Sequence, residues 1–319
     1  EQRIDVPSER QFIGFDAFKK AIEFGTKFSD LPKAPQIAEE ARKELIPVYA
    51  EYGKADQALD FFQPLAGDKG GDRTKTVALL EKLGEEYLGR AHPLEAKKLF
   101  TSLKGLNPPN RCFYETRITE AVINASPKDK PAIRTQLAAL TREFTTFRDG
   151  SNPEDKKQSC GNQTAWLLSE HAIAWEYEAL GDLGCPPDPE KKAANPKARP
   201  GTCNKDTIGS SIDVFKLILG NFKSFDGYKF NTKRPEDAPT IPKMKYSYAD
   251  LLYGQGRWEE CGPAFDEVVA LDPNSDVAGD AAFAAVLCYQ NVYDKQYKDK
   301  DKTESATGKG KIGNKDKDK

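Results

Sequence analysis

The sequence predicts an all-α protein made of repeated helical hairpins, and three stretches predict it. Residues 76–110, TVALLEKLGEEYLGRAHPLEAKKLFTSLKGLNPPN, carry two apolar faces at helical spacing, a short break between them and a closing proline. Residues 242–276, PKMKYSYADLLYGQGRWEECGPAFDEVVALDPNSD, repeat that pattern about 165 residues later. Residues 39–72, which include RKELIPVYAEYGKADQALDFFQPL, carry it a third time. Each reads as two short antiparallel helices ended by residues that cannot continue a helix.

The elements follow in order. Residues 1–14 read as an irregular lead-in, and 15–28 as a helix with Phe18, Ala21, Ile22 and Phe28 on one face. Residues 35–52 and 54–65 form the first hairpin, with Leu45, Ile46, Tyr49, Gly53, Ala58, Phe62 and Leu65 at the matching spacings. GDKGGD, 67–72, reads as a flexible turn. In the second hairpin Leu80, Leu83, Gly84 and Tyr87 face Ala96, Phe100 and Leu103, and Pro108 ends the unit. Residues 111–125 and 129–147 make a further pair, Ile118, Ala121 and Val122 facing Ile133, Leu137, Leu140 and Phe144. DGSNPEDKKQS, 149–159, reads as a polar linker. Residues 162–180 are the most apolar helix, with Trp166, Leu167, Leu168, Ala172, Ile173 and Trp175, and are expected to be the most buried. After a Pro-rich loop comes a helix over 207–222, then an extended connector over 230–242. In the last hairpin Tyr248, Ala249 and Leu252 face Cys261, Phe265 and Val268, with Gly256 and Trp258 at the turn. Its neighbour, 278–293, is apolar almost all round. From Asp294 the chain is rich in Lys, Asp and Gly and cannot bury enough surface to offset ordering entropy, so a mobile tail is expected. The predicted organisation is hairpins over 1–148, further helices over 149–293 and a disordered tail or linker over 294–319. A first residue other than Met and a tail of this kind are read as marks of a removed leader or of a longer parent chain.

These hairpins resemble tetratricopeptide (TPR) repeats, whose unit is a 34-residue helix–turn–helix. The chain departs from the pattern in lacking the tryptophan early in the first helix and in carrying Cys261 where alanine is usual. The resemblance implies an α-solenoid whose first helices line a concave groove that holds an extended or helical peptide. Carried over residue by residue, it assigns to that groove Glu40, Lys43 and Glu51, then Glu81, Glu85 and Leu88, then Lys243, Tyr246, Asp250 and Tyr253. The competing reading of Tyr246 and Tyr253 is that they pack on adjacent helices.

The six cysteines form no CxxC pair, which argues against zinc ribbons and thioredoxin-type chemistry. Cys261 and Cys288 lie equally far from the turn at Asn274 and Ser275, hence at one height on neighbouring antiparallel helices. Cys185 and Cys203 bracket the loop CPPDPEKKAANPKARPGTC, which has no other evident means of order. Cys160 and Cys185 flank a helix about 30 Å long and cannot pair. Cys112 and Cys160 remain, each read as starting a helix, with one helix running back between them. The predicted set is therefore 112–160, 185–203 and 261–288, and it implies an oxidising compartment. The alternative is six reduced, buried thiols in a cytosolic solenoid.

Hydrophobic residues are 38% and charged residues 31%, a balance that suits an elongated stack exposing much of its surface. A formal net charge of −2 gives no reason to expect nucleic acid or an anionic membrane as partner, and no run of about 18 apolar residues suggests a membrane span. His92 and His171 fall in different helical units, away from any Cys or carboxylate cluster at ligand spacing, and no GxSxG, HExxH, P-loop or dinucleotide fingerprint occurs. Glu85 with Glu86, and Glu259 with Glu260, are adjacent in sequence and so diverge on a helix. No enzyme activity, cofactor or metal is expected.

The combination of degenerate repeats, lone cysteines and a Lys-rich connector, with CFYETRITEAV and a helix ending REFTTF, resembles repeat proteins of deltaproteobacterial cell-envelope machines, such as the myxobacterial gliding-motility apparatus. That resemblance implies a periplasmic scaffold binding proteins within a multi-protein motility or secretion complex. Two alternatives stand beside it. A cytosolic adaptor or co-chaperone requires reduced thiols and a basic groove. An accessory module docking an envelope enzyme through the Trp166–Trp175 region requires a stoichiometric partner with its own active site.

Overall fold

A computed structural model describes the backbone of residues 8–232 and 240–307, and the side chains of 14–232 and 240–297. Among these residues the chain is all-helical, with thirteen α-helices and no strand. It divides into two compact units, 1–164 and 165–319.

Unit 1 holds α1 (Ser8–Lys27), α2 (Ala34–Tyr52), α3 (Ala58–Ala66), α4 (Thr74–Gly89), α5 (Pro93–Leu106), α6 (Arg111–Ala125) and α7 (Lys130–Asp149). The predicted hairpins appear as α2–α3, α4–α5 and α6–α7. Ring-to-glycine fit sets one of them: a Cβ on Gly84 would lie 2.4 Å from the Phe100 ring, so the glycine lets α5 close on α4. A single apolar cluster runs from Ile22 through Leu45, Phe62, Leu80, Tyr87 and Phe100 to Ala121. Along α4 and α6 contacts advance together. Glu81 meets Tyr114, an offset of 33 residues, and Glu85 meets Arg117, an offset of 32, so the two helices run parallel. Between α6 and α7 they run oppositely: Arg111 bonds Glu143 while Glu115 bonds Gln136.

At the α5–α6–α7 junction sits a charged cluster. Lys104 bridges the buried Glu115 and Glu143, and Arg111 meets Glu143 at 2.6 Å. Burial works against the Lys104 charge, but the hydrogen bonds it donates to both carboxylates outweigh that and raise its pKa.

Unit 2 begins within α8 (Glu154–Leu180), followed by α9 (Pro189–Ala194), α10 (Lys205–Asn221), α11 (Ile241–Gly254), α12 (Trp258–Leu271) and α13 (Ala278–Thr307). The predicted hairpin is α11–α12. Tyr246 meets Phe265 and Tyr253 meets Trp258, so one helix retreats as the other advances.

Several boundaries differ from the sequence reading. α1 extends back to Ser8, into the expected lead-in, while residues 1–7 lie outside the described residues. Residues 67–72 form a tied turn: Asp68 accepts from the amides of Lys75 and Thr76 at 2.9 Å, capping the open end of α4. The expected linker over 149–159 becomes helix from Glu154, whose acidic first turn, Glu154 and Asp155, suits a helix N-terminus. Cys160 therefore sits inside α8 and does not start it. α9 lies within the Pro-rich loop, capped by the Asp188 carboxylate. Part of the connector, 233–239, is outside the described residues. The expected tail is helical through Thr307, and the rest of it, 308–319, is likewise outside.

Trp166, expected at the centre of the most buried helix, is 47% exposed. The buried face of α8 runs through Ala165, Leu168, Ala172, Trp175 and Ala179, and Trp166 falls off that stripe.

All three predicted cysteine pairs are present, with Cα–Cα separations of 5.9 Å for Cys112–Cys160, 5.5 Å for Cys185–Cys203 and 6.0 Å for Cys261–Cys288. Three such bridges are compatible with an oxidising setting. No described helix is long and apolar enough to cross a membrane.

Candidate partner-binding groove

The first helices of the three hairpins in unit 1, α2, α4 and α6, enclose a groove of about 720 Å³. Its floor is apolar: Ile46 and Pro47 from α2, Ala78 from α4 and Phe113 from α6. Its rim is charged, with Lys43 on α2, Glu81, Lys82, Glu85 and Glu86 on α4, and Arg117 on α6.

Most rim charges are already engaged. Lys43 reaches Glu40 at 3.0 Å on the exposed face of α2. Glu81 accepts from the Tyr114 hydroxyl at 2.5 Å and from the Asn110 amide at 3.1 Å, and so ties α4 to α6. Burial, and then Glu81, push the Tyr114 hydroxyl pKa up. Glu85 meets Arg117 at 2.7 Å, and burial raises its carboxyl pKa despite that cation. Arg117 also lies 5.0 Å above the Phe113 ring and meets Glu120 at 2.7 Å. Lys82 is exposed and makes no ion pair among the described residues. Pro47 has no N–H, so the carbonyl of Lys43, one turn earlier, loses its intrahelical donor beside the groove.

Of the ten residues assigned to the groove from sequence, Lys43, Glu81 and Glu85 line it together. Glu40 stands beside it through Lys43. Glu51 pairs with Arg90 at 3.4 Å, away from the lining. Leu88 is partly buried against the apolar cluster. The remaining four belong to unit 2: Lys243 meets Asp276 at 2.9 Å, Tyr246 lies 5.5 Å from the Phe265 ring, Tyr253 lies 4.9 Å from that of Trp258, and Asp250 is half-buried. Both tyrosines thus pack on the neighbouring helix, α12. Phe113 and Arg117 were missed because α6 lacks the repeat signature. The offset of 32 or 33 residues from Glu81 and Glu85 would have found their turn of helix.

The histidines stay apart from this groove. His92 occupies the N-cap position of α5 beside Tyr87, with no side-chain capping bond, and His171 Nδ1 lies 2.9 Å from the carbonyl of Leu167. Among the described residues no three His, Cys, Asp or Glu side chains converge at metal-binding distance. An apolar floor with rim charges of both signs is suited to a polypeptide segment bearing an apolar anchor.

No protein-family model matches this chain, and no curated protein matches it significantly.

Proposed function

We propose that the chain is a non-enzymatic interaction scaffold whose unit 1 is a TPR-like solenoid and whose α2–α4–α6 groove holds a segment of a partner protein. The observation that carries this is the parallel register of α4 and α6, at offsets of 33 and 32 residues, with an apolar floor between charged rims. The three disulfides support an oxidising compartment, which we take to be a bacterial periplasm and a cell-envelope machine of the motility or secretion kind. The cytosolic adaptor needs a basic groove. Here Glu81, Glu85 and Glu86 balance Lys43, Lys82 and Arg117, which counts against it.

The test is photo-crosslinking in native cells from position 82, in the groove, and from position 97, on the exposed side of α5. A discrete heterologous adduct from 82 and none from 97 supports the reading. The same adducts from both, or none from 82, overturn it. Mapping disulfides in protein from those cells tests the compartment, since six free thiols would refute it.

A further inference from the structure

α13 presents two faces. One packs on α12 through Ala281, Ala285 and Cys288, and the Cys261–Cys288 bridge pins it there. The other is exposed yet apolar: Phe283 is 67% exposed, Val286 61%, Tyr289 46%, Tyr293 60% and Tyr297 50%. These residues recur at intervals of three and four, Gly279, Ala282 and Gln290 complete the stripe, and the half-buried Asp294 borders it. It runs about 27 Å along the helix. A soluble surface rarely leaves such a continuous apolar strip bare, and the cores of interfaces are depleted of charge in the same way.

The stripe is graded. Its first half carries the small residues Gly279 and Ala282 beside Phe283 and Val286, while its second half carries Tyr289, Tyr293 and Tyr297, the last two stacked at 4.4 Å. Tyr289 is fixed by its hydroxyl, which donates to Asp266 at 2.5 Å. A two-fold axis near residue 288 would lay the second half of one copy on the first half of another: Tyr297 over Gly279, Tyr293 over Ala282 and Phe283, Gln290 over Val286. A parallel pairing would instead set tyrosine on tyrosine and leave a void at Gly279. The space is there, since a Cβ added to Gly279 meets no atom within 4 Å. With aromatic side chains of ~150–250 Å² each, these exposures offer about 500 Å² per copy. Two copies then bury about 1,000 Å², the threshold for a specific interface.

We infer that the outer face of α13 is a homodimer interface, in which two copies of this chain pair antiparallel through the Phe283–Tyr297 stripe. The bridge to α12 holds the stripe outward before pairing, which lowers the ordering cost of association.

Sedimentation equilibrium of the oxidised full chain tests this. A dimer at concentrations up to about 100 μM is expected, together with at least tenfold weaker association for Val286→Glu with Tyr293→Glu. Gly279→Leu keeps the test independent of folding. Its side chain enters open space in the monomer, so the thermal unfolding temperature at concentrations too dilute for pairing should not fall, while dimerisation weakens at least tenfold. A monomeric wild-type chain overturns the proposal, including one whose stripe is covered by a different protein in cells. A dimer that survives both variants also overturns it.

Discussion

In unit 1 the chain passes from helix to helix through turns of a few residues, and one apolar cluster links Ile22 to Ala121. In unit 2 it makes a long excursion over 181–204, spanned by the Cys185–Cys203 disulfide, and a second irregular stretch over the described residues 222–232, while Cys261–Cys288 joins the neighbouring helices α12 and α13. The first arrangement needs little covalent help, because each hairpin buries its face on the next. The second closes its excursion by other means. Gly181 and Pro200 form a backbone bridge, and a Cβ at Gly181 or Gly201 would strike opposing backbone at 2.4 or 2.1 Å. Cys203 N donates to the Ala179 carbonyl at 2.9 Å beside the Cys185 bridge. The expectation that this disulfide alone orders the loop was therefore incomplete. Within unit 2, Phe222, Phe225 and Phe230 form a small aromatic knot in the second irregular stretch, with ring centroids 4.3 to 5.2 Å apart. The contrast teaches that packed hairpins suffice where turns are short, and that the long 181–204 excursion is held by a backbone bridge together with the Cys185–Cys203 bond.

The comparison can be broken first at Phe100, which is fully buried against Gly84 and Tyr114. Phe100→Ala should destabilise unit 1 by ~3–5 kcal/mol. Hydrogen exchange on the full chain should show α4, α5 and α6 losing protection while α12 and α13 keep theirs, and equal loss in both units would end the distinction. Removing Cys261 and Cys288 as serines should cost roughly 3–4 kcal/mol by loop entropy, with exchange rising in α13 and not in α2 or α4.

A smaller effect is expected at the charged junction. Lys104→Met leaves Glu115 and Glu143 without their shared cation and should cost about 2 kcal/mol at pH 7, the usual buried-pair value being discounted for the partial exposure of Lys104. The raised Lys104 pKa means that its stabilisation is full below about pH 10.4 and disappears as pH rises through the folded value. Burial raises the hydroxyl pKa values of Tyr49, to about 12, and of Tyr87 and Tyr114, so these contribute with the same sign. Melting temperatures should therefore fall above about pH 10, less steeply in Lys104→Met. An unchanged alkaline slope in that variant would show that the lysine is not a source of it. The smallest effect on stability is expected for Lys82→Glu, within about 0.5 kcal/mol at this exposed site. Partner capture should nevertheless drop, and a loss of stability would show that α4 needs this lysine for its own fold.

Much of the fold was legible because it depends on local rules. Spacing of Leu80, Leu83, Tyr87, Phe100 and Leu103 marks the helix faces, and distance from the turn at Asn274 placed Cys261 opposite Cys288. What stayed hidden was set by packing between elements distant in sequence. Nothing local says that Trp166 falls off the buried stripe of α8, or that Phe113 and Arg117 complete the groove begun by Lys43 and Glu81. Tyr246 and Tyr253 have helical spacing that fits a groove or a neighbour equally, and only the approach of α12 gave them to Phe265 and Trp258. α13 read as apolar all round, but which side met α12 was decided by where the disulfide and Ala281 and Ala285 could close. Periodicity along one chain determines that a helix has a face. Which partner that face meets depends on contacts whose sequence separation leaves no local trace.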